Sequence, residues 1–281
     1  MKFSRLFLAI GVLTIAALAL AQGTLTRYVR YSHQGEISYG ILEGEQIREL
    51  DGSPIFGANP TGKSVRLADV ELLAPVEPGK VIAIGYNYKS HADEHARDPG
   101  PHPGVFIKLP TSIVGPEADI VFPEGAGNVH YEGELVIVIG KRAHRVPRAD
   151  AADYIFGITA GNDVSERDWQ ASDLQWFRAK ASDTFAPTGP VLATGLDYND
   201  LLLQTRLNGE VKQKQRTSDL IFDVHEIVSF VSRFVTLEPG DIIFTGTPGA
   251  TSAMTPGDIV EIELEGVGIL RNRIAATPGN E

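Results

Sequence analysis

Short apolar segments separated by glycine, proline and aspartate follow one another along most of the chain. Alternating hydrophobic and polar residues predict a small β-rich domain over residues 22–74 and a larger domain over residues 75–281. In the larger domain, Asn208-Gly209 between two alternating segments predicts a β-hairpin. The other segments that predict strands are TRYVRYS, ISYGILEG, QIREL, VIAIG, VFIK, DIVFP, ELVIVIG, IFGITAGND and VLATG.

Two segments have the periodicity of helices. Hydrophobic residues three and four apart in VHEIVSFVSRF predict a helix that Asp223 caps. The segment from Asp163 to Phe177 also predicts a helical start, with Ser165 as its candidate cap. Because strands outnumber helices and do not alternate with them, the sequence predicts a β-rich α+β fold rather than a doubly wound sheet.

The first residues have the pattern of a cleaved signal peptide. Lys2 and Arg5 carry positive charge before an apolar run of fifteen residues, Leu6 to Leu20. This run is short for a membrane-spanning helix, and Ala19-Leu20-Ala21 has the small residues of a signal-peptidase site. We therefore predict a signal peptide over residues 1–21, cleavage after Ala21, and a periplasmic or secreted protein with no stable membrane association. An uncleaved membrane anchor is the alternative.

The composition is that of an ordinary globular protein, with 43% hydrophobic and 22% charged residues in a chain of 281. The formal net charge is −11, so the chain lacks the positive surface that attracts nucleic acid or an anionic membrane. We expect no nucleic-acid partner, and an acidic substrate needs local cations or a metal ion. The chain contains no cysteine, which excludes disulfides and argues against a structural zinc site.

Two carboxylates stand at the head of a strong strand segment. In HYEGELVIVIG, Glu132 and Glu134 are two residues apart, so on a strand they point to the same side. Such a pair alone is more often exposed or salt-bridged, because glutamate is usually at the surface. A third acid, Asp163, ends the apolar run IFGITAGN, where its side chain can reach the end of a sheet. Three carboxylates suit a hard cation such as Mg²⁺ or Mn²⁺.

Five motifs follow one another in a fixed order: GYNYKSHADE, HYEGELVIVIG, ITAGNDVSERDWQ, FRAKASDTFAPTGP and DIIFTGTPGA. In this order they resemble the fumarylacetoacetate hydrolase family along nearly the whole mature chain, including its acylpyruvase and 2-hydroxyhepta-2,4-diene-1,7-dioate isomerase members. The resemblance implies that family's mixed β-sandwich roll with a small N-terminal domain, and a homodimer. It also implies a divalent metal held by Glu132, Glu134 and Asp163. Mg²⁺ or Mn²⁺ is the expected ion, with Ca²⁺ as an alternative.

The resemblance also assigns substrate contacts. Arg167 and Gln170 match residues that bind a carboxylate or carbonyl oxygen, and Lys180 matches a lysine that polarises a keto group. Thr247, in TGTPG, matches a hydroxyl that takes the carboxylate of the substrate. By residue type alone, Lys180 is more typical of a solvated lysine, and TGTPG is typical of a turn. A surface cation is the alternative interpretation of Arg167.

In SHADEHA, His91 and Glu94 are three residues apart, so a short helix places them on one face. The pair resembles the catalytic dyad of hydrolase and decarboxylase members of the family, with Glu94 orienting the imidazole and His91 activating water. Asp93 and His95 are alternative partners, and His130 is an alternative base. An exposed helical turn in a polar loop is the other interpretation.

These residues predict a divalent-metal-dependent hydrolase that cleaves a C–C bond in an acylpyruvate or related β-diketo acid through an enolate. The same enolate serves decarboxylation of oxaloacetate and isomerisation of a hydroxymuconate-type diacid, which are the alternative reactions. The expected partner is a small 2-oxo acid. A periplasmic binder of metal or dicarboxylates, without catalysis, is a further alternative, but His91, Glu94 and Lys180 together favour an enzyme.

Overall fold

The structure is a computed structural model that describes residues 24–277. Most of its regular elements are strands, and the helices are short. The strands are β1 (Thr26–His33), β2 (Glu36–Glu43), β3 (Gln46–Leu50), β4 (Pro60–Arg66), β5 (Glu71–Leu73), β6 (Val81–Gly85), β7 (Gly104–Lys108), β8 (Ile113–Val114), β9 (Asp119–Val121), β10 (Val129–His130), β11 (Gly133–Ile139), β12 (Ile155–Asn162), β13 (Ser165–Glu166), β14 (Ala186–Thr194), β15 (Leu202–Leu207), β16 (Glu210–Arg216), β17 (Ile242–Phe244), β18 (Ile259–Leu264) and β19 (Gly268–Ala275). The α-helices are α1 (Lys89–Glu94), α2 (Arg167–Ser172), α3 (Phe177–Ala181) and α4 (Val224–Phe234), and 3₁₀ turns lie at Pro54–Phe56, Leu67–Asp69, Pro110–Ser112, Arg148–Tyr154 and Thr217–Asp219.

Most of these strands join one large mixed sheet in the order β4-β3-β2-β1-β14-β12-β11-β17-β6-β7, with β5 paired to β1 and β8 to β14. A second sheet has the order β16-β15-β18-β19-β9, and β10 pairs with β13. The N-terminal strands enter the large sheet through β1, which lies antiparallel to β14 with Tyr28 opposite Leu192. The boundary predicted between residues 74 and 75 falls between β5 and β6.

The strand β11 lies at the centre of the molecule, and every one of its residues is buried. Val136 and Val138 belong to one apolar cluster, whereas Leu135 and Ile137 belong to the main core. Burial on both faces explains why this segment is a continuous apolar run rather than an alternating one. The second sheet contacts β11 through β15 and β18. The predicted β-rich α+β fold with a mixed sandwich is confirmed.

Two local predictions are also confirmed. β15 and β16 form the hairpin, and Asn208 and Gly209 have φ values of 53° and 82°. These left-handed conformations are what a two-residue hairpin turn requires. The helix α4 begins after Asp223, whose carboxylate accepts a hydrogen bond of 2.8 Å from the Glu226 N–H.

The segment after Asp163 differs from the prediction. Ser165 and Glu166 form β13, and the helix α2 begins only at Arg167. The capping side chain is Glu166, which accepts a hydrogen bond of 2.6 Å from the Trp169 N–H, while Ser165 Oγ donates to the Asp163 carbonyl at 2.7 Å. Ser165 was the wrong cap because β10 pairs with β13 and keeps this segment extended.

The predicted signal peptide and its cleavage site after Ala21 lie outside the described residues, so export stays a prediction. None of the helices within residues 24–277 is long and apolar enough to cross a membrane. The homodimer also stays a prediction.

Candidate active site

Two antiparallel strands bring the three candidate metal ligands together. β11 pairs with β12 so that Gly133 lies opposite Asn162. Glu132, just before β11, and Asp163, just after β12, are therefore neighbours, and the Asp163 N–H donates to the Glu132 carbonyl at 2.8 Å. Glu132, Glu134 and Asp163 are all buried, and one carboxylate oxygen from each lies within 4.8 Å of the others.

The close approach of the second sheet requires glycine between the two glutamates. A Cβ atom on Gly133 would stand 2.1 Å from Thr205 Oγ1 on β15, closer than non-bonded atoms approach. The missing side chain lets β15 pack directly over the strand that carries the carboxylates. Asn162 fixes the backbone on the other side, because its Oδ1 accepts a hydrogen bond of 2.8 Å from the Glu132 N–H.

Three cationic side chains pair with the carboxylates. Lys180, on α3, places Nζ 2.6 Å from Glu132 Oε2 and 2.7 Å from Asp163 Oδ2. Lys108, at the end of β7, donates to Asp163 Oδ1 at 2.6 Å, and Arg167 Nη2 donates to Glu132 Oε1 at 2.6 Å. Sequence reasoning missed Lys108, whose only signal is a lysine at the end of the apolar segment VFIK.

Burial and ion pairing shift the pKa values of these groups in opposite directions. Although burial raises the pKa of Glu132, the charges of Arg167 and Lys180 outweigh it and hold that pKa well below its usual range. Burial lowers the pKa of Lys180, but Asp163 and Glu132 outweigh burial and hold it above its ordinary value. For Lys108 burial prevails over Asp163, and its pKa is lowered.

Glu134 is the carboxylate that this charge pairing leaves out. Within residues 24–277 no ion pair includes Glu134, and its Oε2 accepts a hydrogen bond of 2.7 Å from the Gly246 N–H. Burial raises its pKa well above the usual range, and the charges of Asp163 and Glu132 raise it further. A buried carboxylate beside two others, without a cationic partner, fits a site that a divalent cation completes, since oxygen donors suit Mg²⁺ and Mn²⁺.

The helix α2 presents both candidate substrate-binding side chains on one face. Arg167 Nη1 donates to Gln170 Oε1 at 2.7 Å, and Arg167 Nη2 also donates to Thr251 Oγ1 at 2.8 Å. Only 13% of the Arg167 side chain is exposed. Arg167 is therefore a fixed part of the site and not a solvated surface cation.

His91 lies on α1, and 4% of its surface is exposed. Its Nδ1 is 2.6 Å from the Gly249 carbonyl oxygen, and because a carbonyl oxygen can only accept, Nδ1 carries a proton. Its Nε2 lies 3.7 Å from Glu132 Oε1, at the edge of the carboxylate set. Burial lowers the pKa of His91, which favours a neutral ring with its lone pair on Nε2. The Nε2 atom of His91 thus faces the carboxylates, and its role as a base stays a prediction.

Glu94, the predicted partner of His91, does not contact the His91 ring through a hydrogen bond within residues 24–277. Glu94 is exposed on the wall of the outer cleft. Of the alternative partners, Asp93 pairs with a lysine of α1, and the His95 ring lies edge-on to the His91 ring at 4.6 Å between centroids. In this structure the Gly249 carbonyl, and not Glu94, contacts the His91 ring, and the catalytic role predicted for Glu94 stays a prediction.

His130, the alternative base, is hydrogen-bonded through both ring nitrogens. Its Nδ1 lies 2.8 Å from Thr251 Oγ1, and its Nε2 lies 2.8 Å from Asn128 Oδ1. Burial, together with the charge of Arg167, lowers the pKa of His130 to about 4. Because both nitrogens are already engaged, His130 is less suited than His91 to take a proton from water.

The hydroxyl of Thr247 is also engaged within the protein. It donates to the Gly133 carbonyl at 2.9 Å and accepts from Gln213 Nε2 at 2.8 Å. Thr247 can therefore donate to a substrate carboxylate only after releasing Gly133. Gln213, a buried residue of β16 that sequence reasoning missed, also donates to the Pro248 carbonyl at 2.6 Å and accepts from the Gly133 N–H at 3.2 Å. It joins the second sheet to the loop that carries Thr247.

Two neighbouring spaces adjoin these residues. The inner one, between His91, Lys180 and the carboxylates, has a free volume of about 10 Å³, near the space that one water molecule needs. The outer one is an open cleft of about 740 Å³, and Tyr86, Gln170 and Trp176 line both spaces. The inner space is too small for a 2-oxo acid, so a substrate that binds there must displace side chains around it.

The fold and these buried groups define a β-rich protein with a candidate metal-dependent active site. The family profile described as Fumarylacetoacetate (FAA) hydrolase C-terminal matches residues 80–275, and a profile described as Rv2993c-like, N-terminal, matches residues 26–75. The chain therefore belongs to the fumarylacetoacetate hydrolase family, and the predicted resemblance is confirmed.

Similar proteins with known names include three kinds of enzyme. The chain is 43% identical to the 2-hydroxyhepta-2,4-diene-1,7-dioate isomerase of Mycobacterium marinum, with a TM-score of 0.84 over 90% of this chain and 99% of that chain. It is 39% identical to the mitochondrial oxaloacetate tautomerase FAHD2A of Bos taurus over 88% of this chain and 79% of that protein. It is 32% identical to the fumarylpyruvate hydrolase of Pseudomonas aeruginosa in complex with Mn²⁺ and pyruvate, with a TM-score of 0.68 over 73% of this chain and 91% of that chain.

Proposed function

We propose that the protein is a divalent-metal-dependent hydrolase that cleaves the C–C bond between C3 and C4 of an acylpyruvate. The observation that carries the proposal is the position of His91, whose unprotonated Nε2 faces the carboxylate set at 3.7 Å from Glu132 Oε1. A base at this place is what hydrolysis needs, because a water molecule must lose a proton as it attacks the C4 carbonyl carbon.

The donor set supports the metal requirement. Mg²⁺ or Mn²⁺ held by Glu132, Glu134 and Asp163 would polarise the oxygens of a 2-oxo acid and favour negative charge on the C2 oxygen. The fumarylpyruvate hydrolase of Pseudomonas aeruginosa contains Mn²⁺ and pyruvate, and pyruvate is the fragment that acylpyruvate hydrolysis releases.

The side chains of this protein then have separate tasks. Arg167 and Gln170 orient the carboxylate and carbonyl oxygens of the substrate, and Lys180 supplies positive charge for the enolate. His91 Nε2 takes a proton from water, and the oxygen of that water bonds to C4. When the C3–C4 bond breaks, its electron pair goes to C3 and forms the enolate of pyruvate. A proton returned to C3 completes pyruvate, and the acyl group leaves as a carboxylic acid.

Isomerisation or decarboxylation is the second candidate, because two of the similar proteins are an isomerase and a tautomerase. These reactions also form an enolate but need no attacking water. Purified protein with Mn²⁺ should therefore be assayed against acetylpyruvate, fumarylpyruvate, oxaloacetate and a hydroxymuconate-type diene. Release of pyruvate from an acylpyruvate supports the hydrolase, whereas turnover of oxaloacetate or the diene alone supports the second candidate. If the metal-bound protein turns over none of these substrates, the result supports a binding protein without catalysis.

His91→Ala tests the role that hydrolysis gives to this residue. The variant should lose hydrolysis by about 10²- to 10⁴-fold, the usual contribution of a general base. Its metal affinity, measured by calorimetry, should stay close to that of the wild type because no carboxylate is lost. Glu94→Gln is the control and should have a smaller effect, since Glu94 is exposed. Full hydrolytic activity of His91→Ala would contradict the proposal.

A further inference from the structure

The peptide group that holds His91 is itself held from the other side. The Gly249 carbonyl accepts from His91 Nδ1 at 2.6 Å, and the Gly249 N–H donates to Ser90 Oγ at 3.0 Å. Ser90 precedes His91 on α1, so one short helix hydrogen-bonds to both the N–H and the carbonyl of Gly249. The Ser90 hydroxyl is in turn 2.7 Å from Gln215 Oε1 on β16. A continuous path of hydrogen bonds thus runs from β16 to the His91 ring.

The chemistry of each group fixes the direction of these bonds. With Oε1 of Gln215 as acceptor, the proton of the Ser90 hydroxyl points to Gln215, and an oxygen lone pair is left for the Gly249 N–H. The Gly249 carbonyl then faces His91 and requires the proton on Nδ1. The lone pair on Nε2 is therefore directed to the carboxylates by an arrangement that begins at Gln215.

Strand geometry places a second glutamine beside the first. Gln213 and Gln215 are two residues apart on β16, so their side chains point to the same side. Gln213 holds the Pro248 carbonyl and the Thr247 hydroxyl, while Gln215 holds Ser90. One face of a strand in the second sheet thus fixes both the loop and the helix that meet at His91.

We propose that Gln215 is a positioning residue for His91: through Ser90 and the Gly249 peptide it sets the orientation and tautomer of the imidazole. This role was predicted for Glu94, which in the structure makes no hydrogen bond to the ring within residues 24–277. The inference rests on the proposed function in one respect, because the proposed function assigns the role of general base to His91.

The test compares two variants. Gln215→Leu has no hydrogen-bond acceptor for the Ser90 hydroxyl, whereas Gln215→Glu keeps an acceptor oxygen at the end of a side chain of the same length. Gln215→Leu should lower kcat for acylpyruvate hydrolysis by about 10- to 100-fold, because small misplacement of a catalytic group has effects of this size. KM and the Mn²⁺ dissociation constant should change little. Gln215→Glu should keep most of the wild-type kcat. Gln204→Leu, the same change on the adjacent strand β15 and outside this network, should behave as the wild type.

Nitrogen-15 NMR of the His91 ring gives a readout that does not depend on turnover. The metal-free wild-type protein should show a proton on Nδ1, and Gln215→Leu should show a mixture of tautomers, while Gln215→Glu and Glu94→Gln keep the wild-type spectrum. Unchanged kcat and tautomer in Gln215→Leu would overturn the inference. The inference would also be overturned if Gln215→Leu and Gln215→Glu both lowered kcat, raised KM and weakened metal binding to the same extent. Such a result would indicate a general structural role for Gln215. If the wild type hydrolyses no acylpyruvate, the proposed function fails, and the NMR result still decides whether Gln215 positions the ring.

Discussion

Glu134 differs from the other two carboxylates of the site in its electrostatic surroundings. Glu132 is paired with Lys180 and Arg167, and its pKa is held low by their charges against the effect of burial. Burial raises the pKa of Glu134, and the neighbouring carboxylates raise it further. In the metal-free protein, ionised Glu134 therefore opposes folding, while the same charge is what attracts a divalent cation. Metal affinity and metal-free stability have opposite requirements at this residue.

Glu134→Gln tests whether the charge of Glu134 favours metal binding and lowers the stability of the metal-free protein. The amide keeps an acceptor for the Gly246 N–H but removes the charge. Metal affinity should fall by more than about 100-fold, since even residues that only support ligands contribute about 10- to 100-fold. In EDTA the variant should be at least as stable as the wild type. Calorimetric Mn²⁺ titration and urea unfolding measure the two effects.

The sign of the pH dependence follows from the raised pKa of Glu134. A carboxyl whose pKa is higher in the folded state stabilises the fold below its unfolded pKa, and that contribution is lost as the pH rises through the folded pKa. The stability of Glu134→Gln relative to the wild type should therefore increase from pH 5 to pH 8 in EDTA. Glu36→Gln, the same substitution at an exposed position of β2, serves as the control for the loss of one negative charge. A metal-free variant that is less stable than the wild type at pH 8 would contradict the argument.

Residue-level prediction from sequence succeeded where the signal lay within one segment. The alternation of Glu132 and Glu134 along a strand is visible in the sequence, and so is an acid at the end of another apolar run. Lys108 and Gln213 were missed because their side-chain hydrogen-bond partners lie 34 or more residues away in the chain. By residue type both are typical of solvated side chains, and the place of Lys108 at the end of VFIK is a weak signal.

At the scale of elements, local signals were sufficient when no distant strand competed with them. The Asn208-Gly209 turn and the cap at Asp223 specify their hairpin and helix from a few residues. The start of α2 was misplaced because β10, more than thirty residues earlier, pairs with β13 and holds Ser165 in extended form. Pairing with another part of the chain thus outweighed the helix signal after Asp163.

The cap of α4 gives a prediction at this scale. Asp223→Ala should lower the free energy of unfolding by about 1 kcal/mol, the usual loss for removing an N-cap acceptor. Burial raises the pKa of Asp223, but the Glu226 N–H and Arg148 outweigh burial and hold that pKa below its usual value. This contribution is present above the unfolded pKa and is lost as the pH falls through the folded pKa. Urea unfolding at pH 7 and pH 3 should show the difference between variant and wild type shrinking at the lower pH.

Asp223→Asn is the matched control for the cap. Asparagine keeps a side-chain acceptor for the Glu226 N–H and loses only the charge that faces Arg148. Because this ion pair is largely exposed, its loss should cost less than about 1 kcal/mol. Equal destabilisation by Asn and Ala would show that the charge, and not the cap, supports α4.

At the scale of the whole molecule, the N-terminal strands and the site belong to one continuous sheet. β1 pairs with β14, β14 with β12, and β12 with the strand that carries Glu134. The sequence predicted a small β-rich N-terminal domain, but it could not show that β1 pairs with β14, because Tyr28 and Leu192 lie far apart in the chain. We expect this sheet to unfold in a single cooperative transition, so that a ligand bound at β11 and β12 stabilises the N-terminal strands as well.

Metal binding should therefore stabilise the whole chain. An ion that binds only the folded state adds about 2.7 kcal/mol to the free energy of unfolding at a concentration 100 times its dissociation constant. For a chain of this size the melting temperature should rise by about 5 to 10 °C. Scanning calorimetry of the EDTA-treated protein, with and without Mn²⁺, should show one transition that shifts as a unit, while Glu134→Gln shifts little under the same conditions. A lower, metal-independent transition would show that the N-terminal strands unfold separately, and an equal shift in Glu134→Gln would place the bound ion outside the three-carboxylate set.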